Sequence, residues 1–181
     1  MERVGTWTSQ NCYFYCETSR RETKNEELAE IAQATAAMAR NLDIEPRVAM
    51  LSFSNFGSNR SEAASKVSRA VQILRDRAPY LEVDGEMQVG PALDTTQRAR
   101  LFDFCTLTGP ANVLIFPELN SANIGYKLMR HLGGADLVGP ILIGMNRPAN
   151  VLERDCSVRS VVNMAAITVV QAQEMGPSTR N

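Results

Sequence analysis

Short apolar segments of strand length alternate with amphipathic segments of helix length along this chain, and that alternation limits the fold more than any other feature. It is typical of α/β folds, in which helices cross over between the strands of one sheet. The predicted strands cover residues 12–16, 48–53, 81–84, 113–116 and 138–143. Segment 113–116 is apolar at every position, as expected of a central parallel strand with both faces buried.

Helices are predicted between and after these strands. They cover residues 26–41, 61–77, 94–105, 122–132 and 157–175. In the second of them, apolar residues recur every three or four positions and form a single face. Asn25, Ser61 and Asn123 suit N-cap positions, because their side chains can accept hydrogen bonds from amides of the first helical turn. Residues 1–10 fit no element.

Composition bounds the class of protein. A chain of 181 residues, of which 44% are hydrophobic, can bury the core of one domain or one and a half. Its formal net charge of −1 argues against a surface for nucleic acid or for an anionic membrane. The N-terminal sequence has neither the apolar core of a signal peptide nor a run of transmembrane length. We therefore expect a cytoplasmic protein with no nucleic-acid and no membrane partner.

The cysteines form no redox or zinc motif. Cys12, Cys16, Cys105 and Cys156 include no CxxC pair, and His131 is the single histidine, so no metal site is predicted. Free buried cysteine behaves as a small hydrophobic residue. We interpret all four as reduced thiols that pack rather than react.

The stretch LSFSNFGSNRSEAASKV, residues 51–67, has the layout of an anion-binding loop. A strand end is followed by a turn of small residues and then by a helix, so that backbone N–H groups and the helix N-terminus converge on one point. The predicted ligand-binding residues of this loop are Ser52, Ser54, Asn55, Gly57 and Ser58. The alternative is a plain turn in which Ser58 or Ser61 caps the helix.

Polar residues after segment 113–116 form a second group of candidates. Asn120 and Asn123 either cap the next helix or line a cleft at the carboxyl end of the sheet, where ligands bind in α/β proteins. Lys127 and Arg130 share a helical face, which is more often solvated than bound to a phosphate group. We interpret His131 as a residue that interacts with the last carbonyl groups of the helix.

The sequence becomes recognisable from about residue 112 to residue 173. The block ANVLIFPELNSANIGYKLMRHLGGADLVGPILIGMNRPANVLERDCSVRSVVNMAAITVV resembles the C-terminal half of the phosphate acetyl/butyryltransferase family. The resemblance extends back through DGEMQVGPAL (84–93), LSFSNFGS (51–58) and NEELAEIA (25–32). It implies a three-layer α/β/α fold of the isocitrate/isopropylmalate-dehydrogenase type, with a mixed sheet and with ligands between two subdomains.

Family members of full size are nearly twice as long, so we expect the chain to be a C-terminal portion. On this interpretation, residues 1–24 are a poorly defined segment with one strand, 25–175 the acyltransferase-like portion and 176–181 a tail. Within the family, the sequence is most similar to the C-terminal domain of bacterial hybrid NADP-dependent malic enzymes. One reason is that Asn55-Phe56 stands where transacetylases usually have Thr-Lys.

The resemblance also locates the reactive block of the family, in which a serine adjoins an arginine and an aspartate follows in the next helix. Arg154 keeps the arginine and is a predicted ligand-binding residue, whereas Glu153 occupies the serine position and Ser160 the aspartate position. Gly90 stands where family members commonly have an acid. We therefore assign no catalytic residue, and we expect the carboxylate of Glu153 to repel phosphate.

Three functions follow as hypotheses. The first is a non-catalytic, acetyl-CoA-responsive regulatory and oligomerisation domain of an NADP-dependent malic enzyme, which converts malate to pyruvate and CO2. The alternative is a phosphate acetyltransferase with an altered reactive block, and a third is a scaffold that dimerises and binds little else. The resemblance implies acetyl-CoA as effector or substrate and a homodimer. It implies no cofactor in this chain, with NADP and a divalent metal only in the malic-enzyme domains.

Overall fold

A computed structural model describes residues 2–7, 12–17, 24–133, 136–152, 154 and 156–175. Strands and helices alternate along most of these residues. In chain order the elements are β1 (Glu2–Trp7), β2 (Cys12–Glu17), α1 (Asn25–Arg40), β3 (Arg47–Leu51), α2 (Glu62–Arg77), β4 (Glu82–Met87), α3 (Val89–Leu93), α4 (Thr95–Leu101), β5 (Val113–Ile115), α5 (Leu119–Leu132), β6 (Asp136–Leu142) and α6 (Val158–Glu174). The predicted tail, 176–181, lies outside the described residues.

All six strands form one sheet in the order β4-β3-β5-β2-β1-β6. β3 pairs in parallel with β4 and β5, and β5 pairs in parallel with β2. β1 is antiparallel to both β2 and β6, so within the described sheet it alone runs against the rest. The carboxyl ends of the other five strands therefore lie at the same edge. The α/β prediction is confirmed, and β5 is a buried interior strand with parallel neighbours, as its apolar sequence predicts.

Two hydrophobic clusters pack against opposite faces of the sheet. Because successive strand residues point to opposite faces, Val48 and Met50 of β3 enter one cluster, and Ala49 and Leu51 enter the other. The first cluster also contains apolar residues of α1, α2 and α6. The second contains Leu114 of β5 and has partly buried residues of α5 packed against it. Helices therefore cover both faces of the central strands, whereas loops follow these strands at the carboxyl edge of the sheet.

One of the three predicted N-caps is confirmed. Ser61 caps α2, and its Oγ atom accepts a hydrogen bond from the amide of Ala64 at 3.3 Å. Asn25 is instead the first residue of α1, whose N-cap position is Lys24. Asn123 lies inside α5, because Glu118 caps that helix and the helix begins before the predicted residue 122.

Three further parts of the fold differ from the prediction. Residues 89–93 form the short helix α3, where no helix is predicted. Residues 2–7, for which no element is predicted, form β1, which is stabilised by pairing with β2 and β6 rather than by a local pattern. The predicted helix 94–105 is shorter, because α4 ends at Leu101. Phe102 and Phe104 leave the helix and pack on Phe56, with ring centroids 5.1 and 5.0 Å away.

Arg98 of α4 fixes the segment that leads back to the sheet. Its side chain is buried, and its guanidinium donates to the carbonyl oxygens of Pro91, Ala92, Leu107 and Gly109 at 2.7–3.3 Å. A buried charge requires such hydrogen bonds to offset the loss of hydration. Arg98 therefore joins α3 to the chain that enters β5, a role that sequence reasoning did not assign to it.

Candidate functional site

The loops that carry the predicted site residues all follow strands at the carboxyl edge of the sheet. The β3 loop (52–60) follows β3, the turn before Glu118 follows β5, and the loop that contains Arg154 follows β6. Open α/β sheets bind their ligands at this edge, outside the ends of the strands. We therefore take this edge as the candidate site.

Glu86 lies beneath the β3 loop. The pairing of β3 with β4 is regular as far as Met50 and Gly85, and then shifts so that Leu51 pairs with Met87. Glu86 is thus left out of the ladder as a bulge, and its side chain is 1% exposed. Only glycine suits position 85, where φ is 140° and a Cβ atom would lie 2.6 Å from the carbonyl oxygen of Met50.

The β3 loop itself binds the carboxylate of Glu86. The Oε1 atom accepts hydrogen bonds from Ser54 Oγ at 2.9 Å and from the amide of Gly57 at 2.6 Å. The amide of Phe56 donates to the carbonyl oxygen of Glu86 at 2.7 Å. Phe56 and Gly57 have φ values of 46° and 83°, and this left-handed pair directs both amides toward Glu86. The loop is therefore folded around an anion that belongs to the same chain.

Other amides of the β3 loop also have internal partners. The amide of Ser54 donates to Ser52 Oγ at 3.2 Å, and that of Asn55 donates to Ser58 Oγ at 2.9 Å. The amide of Asn59 donates to Ser54 Oγ at 3.0 Å. These predicted site residues thus contact one another and Glu86. Their binding of an external ligand stays a prediction.

Sequence reasoning missed Glu86, although a signal was present. The strand segment EVDGEM places Asp84 and Glu86 between the buried apolar residues Val83 and Met87. An ionised carboxylate inside a sheet requires hydrogen-bond donors. The nearest donor-rich segment along the neighbouring strand is the β3 loop, so the two features together indicate the contact.

A polar cleft of about 390 Å³ opens beside Glu86. Gly57 and Asn59 of the β3 loop line one part of it, and the first turns of α2 line another. Arg60 and Arg69 add two guanidinium groups to the lining, and both side chains are exposed. The cleft therefore combines a buried carboxylate with cations that sequence reasoning did not single out.

Glu118 closes the N-terminus of α5. Its carboxylate accepts hydrogen bonds from the amides of Asn120 and Ser121, both at 2.7 Å. Burial alone would raise the pKa of Glu118, but the bonds from Ser121 and Asn120, together with the charge of Lys66, lower it below the ordinary value. Lys66 extends from α2 to this turn and donates to the carbonyl oxygen of Pro117 at 2.8 Å. A second internal carboxylate thus occupies a position that suits an external anion.

The side chains of Asn120 and Asn123 are both exposed on α5. Neither caps the helix, so the capping interpretation is wrong for both, and their lining of a ligand cleft stays a prediction. Lys127 Nζ lies 5.6 Å from the centroid of the Tyr126 ring. His131 lies in the last turn of α5, where the sequence places it.

Arg154 lies on the loop between β6 and α6, and its side chain is exposed. β3 and β6 are four positions apart in the sheet, which corresponds to about 19 Å at the usual strand spacing. No hydrogen bond or ion pair among the described residues joins Arg154 to the β3 loop. Ser160 lies in the first turn of α6, where its amide donates to the N-cap Ser157 Oγ at 3.1 Å. Glu153 lies outside the described residues.

Gly90 and Cys105 are the remaining residues that the sequence analysis discusses. A Cβ atom at Gly90 would lie 2.7 Å from Gln97 Oε1, so an acid at this position would displace Gln97. Burial raises the pKa of the Cys105 thiol to about 11, which agrees with packing rather than reactivity.

Within the described ranges, no group of three His, Cys, Asp or Glu side chains is placed to bind a metal ion. No helix among the described residues is long and apolar enough to cross a bilayer.

Comparison with known sequences identifies one matching family and two similar enzymes. The profile of the family described as phosphate acetyl/butaryl transferase matches residues 8–169. The phosphate acetyltransferase of Clostridium acetobutylicum is 47% identical over 150 residues, which make up 82% of this chain and 45% of that protein. The NADP-dependent malic enzyme of Haemophilus influenzae is 44% identical over 149 residues, which make up 82% of this chain and 20% of that protein.

The fold agrees with the sequence relationship. A phosphotransacetylase structure from Streptococcus pyogenes superposes with a TM-score of 0.90 and 37% identity, over 96% of this chain and 54% of that chain. The chain thus spans about half the length of the transferases that it matches. Because the family profile covers most of the sequence, the chain belongs to the phosphate acetyl/butyryl transferase family.

Proposed function

We propose that this chain is part of a phosphate acetyltransferase. An oxygen of phosphate attacks the thioester carbonyl of acetyl-CoA, a C–O bond forms, the C–S bond breaks, and the CoA sulfur leaves and takes a proton. The products are acetyl phosphate and CoA. The single observation that carries the proposal is 47% identity to a phosphate acetyltransferase over 82% of the chain. The proposed whole protein has the three-layer α/β/α fold, with the ligand between two subdomains.

Acyl transfer to phosphate requires cations that hold phosphate and donors that stabilise the oxyanion of the transition state. We assign the first role to Arg154, which keeps the arginine of the reactive block and whose planar fork matches phosphate oxygens. We assign the β3 loop a supporting role, because Glu86 fixes its shape at the same edge. The exposure of Arg154 leaves its guanidinium accessible to a ligand.

The test is an assay of acetyl phosphate and free thiol from acetyl-CoA and phosphate. Arg154→Ala should lower the rate by at least about 100-fold, as expected when a group that stabilises transition-state charge is lost. Arg147→Ala is the matched control, because Arg147 is an exposed arginine of the same loop. Absence of phosphate-dependent turnover by the unmodified chain, with or without a protein that supplies the rest of the family fold, would contradict the proposal.

A second candidate is an acetyl-CoA-responsive, non-catalytic domain of an NADP-dependent malic enzyme. Two observations favour it: the 44% identity to the Haemophilus enzyme and the replacements at Glu153 and Ser160. A carboxylate about 4 Å from phosphate costs about 4 kcal/mol per pair of unit charges at an effective dielectric constant of about 20. On this candidate, NADP and a divalent metal are bound only in the malic-enzyme domains, and acetyl-CoA shifts the equilibrium between two domain arrangements.

Calorimetric titration with acetyl-CoA, with CoA and phosphate as separate controls, distinguishes the two candidates. Saturable acetyl-CoA binding without turnover supports the regulatory domain. Turnover that increases in the Glu153→Ser/Ser160→Asp variant supports the enzyme, because this variant removes the repelling carboxylate and restores a proton acceptor. Inactivity of both the unmodified chain and this variant is evidence against the enzyme.

A further inference from the structure

One oxygen of the buried carboxylate of Glu86 has no hydrogen-bond partner among the described residues. The Oε1 atom accepts hydrogen bonds from Ser54 and Gly57, whereas no described group donates to Oε2. The side chain is 1% exposed, so bulk water does not replace the missing donor. A buried carboxylate oxygen without a donor is costly. Because Glu86 also lines the polar cleft, a donor group on a bound molecule can complete its hydrogen bonds.

The polar cleft also contains two arginines that lack an acidic partner. Arg60 and Arg69 are exposed lining residues, and no ion pair in the described part of the chain includes either of them. Arg60 precedes α2, and Arg69 lies about two turns into that helix. Guanidinium groups form paired hydrogen bonds with phosphate oxygens. The cleft therefore offers an acceptor for a donor group and cations for an anionic group.

The other lining residues favour a ligand with hydroxyl groups. Ser65 and Ser68 of α2 line the polar cleft, and within the described ranges their hydroxyl groups have no hydrogen-bond partner. The lining that the structure describes includes no aromatic and no large apolar side chain, so a flat ring has no surface on which to stack. A ligand hydroxyl group, by contrast, can donate to a serine or accept from it.

We infer that the polar cleft binds the sugar phosphate moiety of a ligand. A sugar hydroxyl group donates to Glu86 Oε2, and the phosphate group accepts hydrogen bonds from Arg60 and Arg69. The volume of about 390 Å³ lies within the usual range of small-molecule sites. The moiety is either a free pentose phosphate or the ribose phosphate of a nucleotide. The inference does not depend on the proposed function.

Glu86 also explains why a simple anion is a poor ligand for this cleft. An anion without a donor group would meet the charge of the carboxylate with nothing to offset the repulsion. In a sugar phosphate, several bonds separate the hydroxyl groups from the phosphate group. The hydroxyl group can therefore contact Glu86 while the phosphate group lies beside the arginines. The carboxylate thus selects against anions that lack a hydroxyl group.

The first test is calorimetric titration of the chain with ribose 5-phosphate and with methyl phosphate. Both ligands are phosphate esters, but methyl phosphate has no sugar hydroxyl group. Its dissociation constant should be at least about 10-fold higher, because a site built to bind a hydroxyl group rejects an analogue that lacks it. Arg69→Ala should weaken both ligands by at least about 10-fold. Arg77→Ala is the matched control, because Arg77 is an exposed arginine in the last turn of the same helix. It should change neither affinity.

A variant of Glu86 tests the hydroxyl contact separately from the shape of the β3 loop. Glu86→Gln keeps one acceptor oxygen for the loop but places an NH2 group where Oε2 lies, so the charged acceptor is lost. The ratio of the two dissociation constants should fall to about 3 or less, because a neutral hydrogen bond is weaker than one to a carboxylate. A loosened loop alone would weaken both ligands and leave the ratio unchanged. The ratio therefore separates loss of the hydroxyl contact from a structural effect.

Adenosine 3′,5′-bisphosphate distinguishes the two sources of the sugar phosphate. Tighter binding of this nucleotide than of ribose 5-phosphate, with competition between them, supports the site and assigns the moiety to a nucleotide. Tighter binding of ribose 5-phosphate supports the site and assigns it to a free sugar phosphate. Four results would each overturn the inference: no saturable binding of either compound, equal affinities for ribose 5-phosphate and methyl phosphate, unchanged affinities in Arg69→Ala, or an unchanged ratio in Glu86→Gln.

Discussion

The hydroxyl group of Ser54 donates a hydrogen bond of 2.9 Å to the carboxylate of Glu86, which lies 32 positions later in the chain. Both side chains are 1% exposed. Hydrogen bonds to a charged group are stronger than neutral ones, and burial strengthens them further. The loop after β3 therefore takes its shape from an anion within the protein, and it is expected to keep that shape with or without a ligand.

Replacing Glu86 should both destabilise the protein and release the β3 loop. Glu86→Gln keeps an acceptor oxygen but loses the charge, so the free energy of unfolding should fall by about 1–2 kcal/mol. Glu86→Ala removes the acceptor of the Gly57 amide and the carboxylate that the Ser54 hydroxyl contacts, and the loss should reach about 3–5 kcal/mol. Urea unfolding measures the first quantity, and hydrogen exchange at the Gly57 amide measures the release of the loop.

The control for this experiment is Glu45→Gln, because the side chain of Glu45 is 73% exposed. It should change stability by less than about 0.5 kcal/mol. Formate provides an independent check, since a small carboxylate can occupy the space left in Glu86→Ala. Formate should stabilise that variant more than the unmodified chain. Equal stabilisation of both proteins would show that the loop does not hold an anion in this position.

Replacing the guanidinium group of Arg98 by the ammonium group of lysine should destabilise the protein. Lysine cannot reproduce the fork that contacts the carbonyl oxygens of Leu107 and Gly109 together with those of α3. Arg98→Lys should therefore lower the free energy of unfolding by about 3 kcal/mol, because several buried acceptors lose a charged donor. Arg100→Lys, an exposed change in the same helix, should have an effect below about 0.5 kcal/mol. Similar thermal midpoints for the two variants would contradict this role of Arg98.

The parts of the fold that sequence predicts are those set by local patterns. Apolar periodicity places α2 within one residue, and Ser61 caps it because a serine before an apolar face satisfies an amide of the first turn. The uniformly apolar segment of β5 likewise identifies an interior strand. In each case the information lies within a few positions along the chain.

The parts that sequence does not predict depend on distant contacts. β1 lies between the nearby β2 and the distant β6, and no local pattern indicates its pairing with residues 136–142, more than a hundred positions away. α4 ends early because Phe102 and Phe104 pack on Phe56. The same holds at the candidate site, where Glu86 occupies the β3 loop only because β4 bulges beside β3.

Stability should depend on the ionisation of Glu118 in acid. Burial alone would raise the pKa of this carboxyl group. Its hydrogen bonds outweigh burial, so the fold lowers the pKa below the ordinary 4.5. Its contribution is therefore present above about pH 4.5 and is lost as the pH falls through the lower pKa of the folded state. Glu118→Gln should be less stable than the unmodified chain at pH 7, by about 1 kcal/mol for the weakened cap.

The pH dependence distinguishes this effect from general acid unfolding. The difference in unfolding free energy between the unmodified chain and Glu118→Gln should shrink as the pH falls below about 4.5, because both proteins then carry a neutral group at this position. Urea titrations at several pH values measure it. A difference that stays constant down to the acid limit would show that the charge of Glu118 does not stabilise α5.

Cys105 should be slow to react while the protein is folded. Burial raises the pKa of its thiol from 9.0 to about 11, and the nearby charge of Asp84 acts in the same direction. Only the thiolate is alkylated, so at pH 8 the rate with iodoacetamide should be about 100-fold lower in the folded chain than in urea. Mass spectrometry of the peptide that contains Cys105 measures both rates. Because folding favours the protonated thiol, the contribution of Cys105 to stability is complete below pH 9 and is lost as the pH rises toward 11. Equal alkylation rates in the two states would show that the thiol of Cys105 is neither buried nor protected, and would contradict its assignment as a packing residue.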